Sequence, residues 1–203
     1  MVATSCSNAR SGKIVKMEFD KVLTRAAGPE ILAEVVAMTS HRTVRATGVS
    51  QSGATHFQFT AEIDCVAHEW NMIASGGSVQ SFRDGVINLP PDPPHVRQFL
   101  SGMPHPLRMM HPDQLLVWGR GKESFHPILA QQIGVRSILL TFEHREDPAF
   151  RSTMVIDQTL GVVRKTAMLG DITILTEIAV DEPLMRPTSV DFAPISDWIR
   201  TDY

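Results

Sequence analysis

Three histidines and three methionines gather in one short stretch: His95, Met103, His105, Met109, Met110 and His111. Imidazole and thioether together suit a soft ion such as copper(I). Their spacing, His-x9-His-x5-His, matches no standard ligand signature, and no cysteine stands near them in sequence. No metal is expected there. Methionine also fills irregular gaps and makes adaptable contact surfaces. The stretch therefore reads first as the apolar underside of a lid, and second as plain loop packing.

Other candidates for chemistry fall away on spacing. The serines and glycines of "SGGSV" and "GVSQSG" do not form the G-x-S-x-G elbow of a serine hydrolase. "WGRGKESF" lacks the G-x4-G-K-[ST] spacing of a phosphate loop. "FEHREDPAF" is a charge run of the kind that lies on a solvated hairpin. Cys6 and Cys65 are too few for a disulfide framework and read as free thiols. A charged group facing an apolar pocket would have a shifted pKa and could act as acid or base. Glu62 and Asp64 are expected on a wet face as surface groups, while the pair Val162-Val163 leaves the sides of Lys165, Thr166 and Glu177 open. No catalytic residue is named, no cofactor is expected, and whether the chain is an enzyme stays open.

Composition sets the bounds. The chain has 203 residues, 43% hydrophobic and 20% charged, which fits one globular domain with a sizeable core. A net charge of -3 argues against a nucleic-acid partner, which needs a basic face. No apolar run approaches the roughly 20 residues of a membrane-spanning helix. "MVATSCSNARSGK" has no apolar core of a signal peptide, so the expected location is cytoplasmic. Serines around a cysteine are also what a cleaved lipoprotein signal leaves, so an exported protein is the alternative.

The elements that would position a site follow from periodicity. Residues 1–20 read as a flexible tail and residues 21–203 as a single domain. "GPEILAEVVAMTSH" places Pro29 in a first turn and Ile31, Leu32, Val35 and Val36 on one helical face. Phe57, Phe59, Ala61, Ile63 and Cys65 alternate with polar residues, the pattern of a strand with one buried face. Gly76-Gly77 and Asp84-Gly85 mark tight hairpins. Seven prolines between Pro90 and Pro112 exclude central sheet and predict a lid insertion over about 90–132. Short helices are expected in it at Val96–Leu100, at Asp113–Trp118 and in "SFHPILAQQIG". Strands resume at "VRSILLTFEH". A three-strand meander over Phe150–Leu184 turns around Asp157, Gly161 and Gly170-Asp171, and a last short strand is expected near Val190–Phe192. The expected fold is mainly β (α+β), a curved antiparallel sheet or incomplete barrel closed by short helices.

Asp157, Gly161, Val162, Val163, Arg164, Pro183 and Leu184 in "STMVIDQTLGVVRKTAMLGDITILTEIAVDEPL" resemble the C-terminal strands of the LolA-like fold. "WNMIASGGSVQSFRDGVINL" also looks like an earlier hairpin of that family. The resemblance implies a half-barrel whose hollow holds acyl chains or another apolar ligand. The residues expected to line it are Phe57, Phe59, Ile63, Met72, Met109, Met110, Trp118, Ile138, Leu140, Phe142, Met154 and Ile156. The expected function is a carrier or binding protein for a hydrophobic small molecule. The alternative is a cyclase or isomerase that folds a lipid-like or polyketide-like metabolite in the same cavity. The expected partner is a hydrophobic small-molecule ligand or substrate.

Overall fold

In the computed structural model, residues 17, 19–38, 43–118 and 125–180 are described. The described residues form one curved sheet of twelve strands, with every neighbouring pair antiparallel. The strands are β1 (Lys21–Val22), β2 (Thr43–Ser52), β3 (Thr55–Asp64), β4 (Glu69–Ala74), β5 (Val79–Arg83), β6 (Val86–Asn88), β7 (His95–Val96), β8 (Phe125–Gln132), β9 (Ser137–His144), β10 (Arg151–Asp157), β11 (Val162–Met168) and β12 (Asp171–Val180). Their spatial order is β1-β8-β9-β10-β11-β12-β2-β3-β4-β5-β6-β7. The two-residue strands β1 and β7 stand at the ends and do not pair with each other, so the barrel is incomplete. The mainly β expectation holds, and so do the three-strand meander and the Asp84-Gly85 hairpin.

Register is set by the apolar face. Ile63, Ala61 and Phe59 of β3 stand opposite Val44, Ala46 and Gly48 of β2, and all six are buried. A slip of one residue would turn that whole set outward. Gly48 is required here by a close approach. A Cβ added to it would lie 2.5 Å from the Phe59 ring and 2.4 Å from the Ile174 carbonyl oxygen. The ring could swing, but the carbonyl belongs to the β12 backbone and cannot. Gly48→Ala is therefore expected to destabilise the fold by about 2–3 kcal/mol, an overpacking cost. A urea midpoint equal to that of the wild type would refute this packing.

Helical cover is sparse. Helix α1 (Gly28–Met38) has Pro29 in its first turn, buries Ile31 and Val35 and half-buries Leu32. Val36 is exposed, so the buried stripe is narrower than expected. Helix α2 (His105–Met110) has Pro106 in its first turn and buries Leu107, Met109 and Met110. Short 3-10 turns follow at Pro112–Gln114 and Leu116–Trp118.

The helices expected inside the lid are corrected. Val96–Leu100 is not helical: His95 and Val96 pair with β6 instead. Asp113–Trp118 is broken into those two 3-10 turns. "SFHPILAQQIG" is not a helix, because Phe125–Gln132 is strand β8, paired along its length with β9. Pairing to a neighbour overrode local propensity there. Pro127 is tolerated because β1 covers β8 only at Leu129 and Ala130, and the register shifts between Pro127 and Leu129. The expected strand near Val190–Phe192 lies outside the described residues, as does most of the expected tail.

Candidate functional site

The concave face of the sheet is an apolar trough. On one wall Ile138, Leu140 and Phe142 of β9 stand opposite Ile156, Met154 and Ser152 of β10. On the other, Ile63, Ala61 and Phe59 stand opposite Trp70, Met72 and Ala74 of β4. The trough is filled by the chain's own lid. Met103, Leu107, Met109, Met110 and Leu115 are buried in the same core as the two walls. Trp118 sets its ring edge-on to Phe142 at 5.2 Å. The Thr166 hydroxyl of β11 lies 2.8 Å from His105 Nε2 and donates to the Met109 sulfur at 3.8 Å. The Trp70 indole N–H donates to the Phe99 carbonyl at 3.0 Å.

All twelve residues expected to line the hollow therefore belong to this face or to its cover. Ten are buried; Phe57 and Trp118 are half-buried. Two apolar residues of the lid, Val96 and Leu116, are exposed, because they lie on an edge strand and on an outward 3-10 turn. Thr166 faces the trough, whereas Lys165 and Glu177 lie on the outer side, exposed to solvent. Glu62, expected to be an ordinary surface group, is buried on the outer face, where its Oε2 accepts from Asn71 Nδ2 at 3.5 Å. A shallow outer cleft of about 340 Å³ opens beside the β12 bulge, lined by Thr47, Val49, Gln58, Thr60 and Thr176.

One polar cluster ties the lid to the sheet. His111 pairs through Nδ1 with Asp113 Oδ1, and the Cys65 side chain lies near enough to act on its ring. Cys65 follows the end of β3; His111 and Asp113 belong to the lid. Burial alone would lower the His111 pKa, but hydrogen bonds and charge from Asp113 and Cys65 outweigh it and raise it to about 10. Burial raises the Asp113 pKa, and the bond to His111 more than reverses this, so its carboxyl lies below the usual range. The pair is thus imidazolium and carboxylate at neutral pH. A thiol beside an oriented imidazole is also the layout of a cysteine nucleophile.

His105 behaves in the opposite way. Burial first, and the nearby Arg108 second, lower its pKa to about 4, so it is neutral. Its neutral form stabilises the fold fully above pH 6.5, and that contribution is lost as pH falls from 6.5 toward 4. The expected loss is about 2 kcal/mol between pH 7 and 4.5, absent in His105→Gln. Urea denaturation of both proteins at the two pH values checks it.

The three histidines of the lid do not converge. His95 contacts the Pro93 carbonyl, His105 contacts Thr166, and His111 contacts Asp113. Among the described residues, no three His, Cys, Asp or Glu side chains come together as metal ligands. Spacing could not have found Cys65 or Thr166, since their partners are distant in sequence and on another element. The nearest signal was the His111-x-Asp113 pair itself.

The class defined by this geometry is an unclosed antiparallel half-barrel with a self-filled apolar trough. It is similar to solved structures of MucB in complex with MucA(peri), at TM-score 0.38 and 10% identity over 87% of this chain and 59% of that chain. The MucA/MucB complex of Pseudomonas aeruginosa gives TM-score 0.41 and 13% identity over 86% and 60%. The chain spans about 60% of the length of the chains it matches. Neither a protein-family model nor a curated protein matches the sequence. Both solved structures are complexes with a protein, whereas the partner expected from the sequence is a small hydrophobic molecule. That expectation is corrected on the trough itself, because its own side chains already occupy the hollow. No described helix is long and apolar enough to cross a membrane.

Proposed function

We propose that this chain is a LolA-like half-barrel binding module whose concave face takes up an apolar segment of a partner protein, in place of its own lid. The observation that carries this reading is the lid itself. A short peptide rich in Met and Leu, from Met103 to Trp118, lies in the trough and buries Leu107, Met109 and Leu115 to 1% exposure or less. A surface that holds such a peptide in cis has the shape and chemistry to hold one in trans. Methionines on the cover allow repacking as the guest enters, and recognition through apolar anchors in a groove is a general mode of peptide binding.

The test is fluorescence anisotropy on the full chain, with a labelled octapeptide of leucine, methionine and alanine and, in parallel, a fluorescent fatty acid. Saturable binding of the peptide, weakened by Phe142→Asp, supports the reading. Absence of peptide binding at any reachable concentration overturns it.

A second reading, a thiol-dependent enzyme, is favoured by Cys65, His111 and Asp113. It ranks second because Cys65 is only 6% exposed. Rapid alkylation of native Cys65 by iodoacetamide, located by mass spectrometry, would raise it above the first.

A further inference from the structure

The trough has one feature that an apolar container does not need. Gln80 of β5 is fully buried, and neither its amide nitrogen nor its amide oxygen has a hydrogen-bond partner. It stands opposite Met72, on the same face as the next pair along, Phe82 and Trp70. That is the inner face. Burying an amide without a partner is costly, and buried polar groups are nearly always paired. A Met or Leu would fill the site without that cost.

The surroundings explain why nothing in the chain satisfies the amide. Its strand neighbours on this face are apolar. In the covering segment the buried prolines Pro104 and Pro106 have no N–H to give. Where the cover does meet a polar group at this end, it does so through main chain: Trp70 donates to the Phe99 carbonyl. A side-chain amide offers one acceptor and two donors on a small planar head. A peptide group of a guest offers the matching N–H and C=O. A hydrocarbon chain offers neither.

We propose that Gln80 reads the main chain of the guest, pairing with a peptide group of an extended, apolar protein segment bound in the trough. This rests on the binding reading above and adds the chemical class that the trough selects: a segment with a free backbone amide at this depth. Free protein keeps the amide unpaired, and the bound guest satisfies it.

The experiment compares wild type with Gln80→Met, which keeps the length and shape of the side chain. Two quantities are read: urea stability of the free protein, and affinity for the leucine–methionine–alanine octapeptide together with a set of analogues, each with one backbone amide replaced by an ester. The expected result is a more stable free protein that binds the peptide about tenfold more weakly, as loss of a buried hydrogen-bonded partner does. One ester analogue should bind wild type more weakly yet bind the variant no worse than the parent peptide does. Equal affinity in wild type and variant overturns the role of Gln80 and leaves the docking reading in place. A less stable free variant overturns it too, because Gln80 would then be paired inside the fold. Failure of wild type to bind any of the peptides overturns both.

Discussion

Leu107→Asp combined with Met109→Asp is expected to release the lid while leaving the sheet folded. Both side chains are fully buried against the trough. Each new carboxylate would lie in a buried, largely apolar site, at a cost of several kcal/mol. Withdrawal of α2 is the less costly response, because the strands are held by their own ladders and by Ile138, Leu140, Phe142, Met154 and Ile156. The far-UV spectrum should stay that of a β protein. Tryptophan emission should shift to the red, because Trp118 loses Phe142 and Trp70 loses its cover at Phe99. Affinity for the apolar octapeptide should rise at least about tenfold, because the guest no longer competes with a lid in cis. Loss of the β spectrum would show instead that lid and sheet form one cooperative core, and a displaceable cover would be ruled out.

His111→Ala should give the second large effect, and its signature is in pH. Removing the imidazolium leaves the largely buried Asp113 without its partner, a loss on the order of 3 kcal/mol at neutral pH. A histidine whose folded pKa is raised binds its proton more tightly in the folded state. Its contribution is complete below the unfolded value near 6.5 and fades as pH rises toward 10. Wild type should therefore lose stability steadily across that window. In His111→Ala that slope should be absent. The facing titratable groups are Asp113, which stays ionised throughout the window, and Cys65, which Cys65→Ser tests separately. A wild-type urea midpoint unchanged from pH 7 to pH 10 would show that the His111–Asp113 pair does not hold the lid. With His105 acting below pH 6.5 and His111 above it, the fold should be most stable close to neutrality.

Local chemistry alone determined much of this molecule. The alternation from Phe57 to Cys65 has a period of two, and only a strand with one buried face satisfies it. Asp84-Gly85 and Gly170 adopt the positive φ that tight hairpins require. Asp157 caps its turn by accepting from the Thr159 and Leu160 amides, and its Oδ2 accepts from Arg164, all within eight residues. Such short-range signals are legible because every partner lies nearby in the chain.

Tertiary structure decided the rest. "FHPILAQQ" has no period that separates helix from strand; pairing with β9 made it β8. In "VQSFR" the two alternating faces are Val79 with Ser81 and Gln80 with Phe82, and either is a plausible interior. The curvature of the sheet chose the one that buries Gln80. The lid residues were recognisable as apolar, but their spacing said nothing of whether they would border a hollow or fill it. They fill it. Cys65 and His111 meet only because the lid folds back across the end of β3. Long-range packing selects among local patterns that are each acceptable, and here the residues that distinguish a binding surface from a plain core were set at that step.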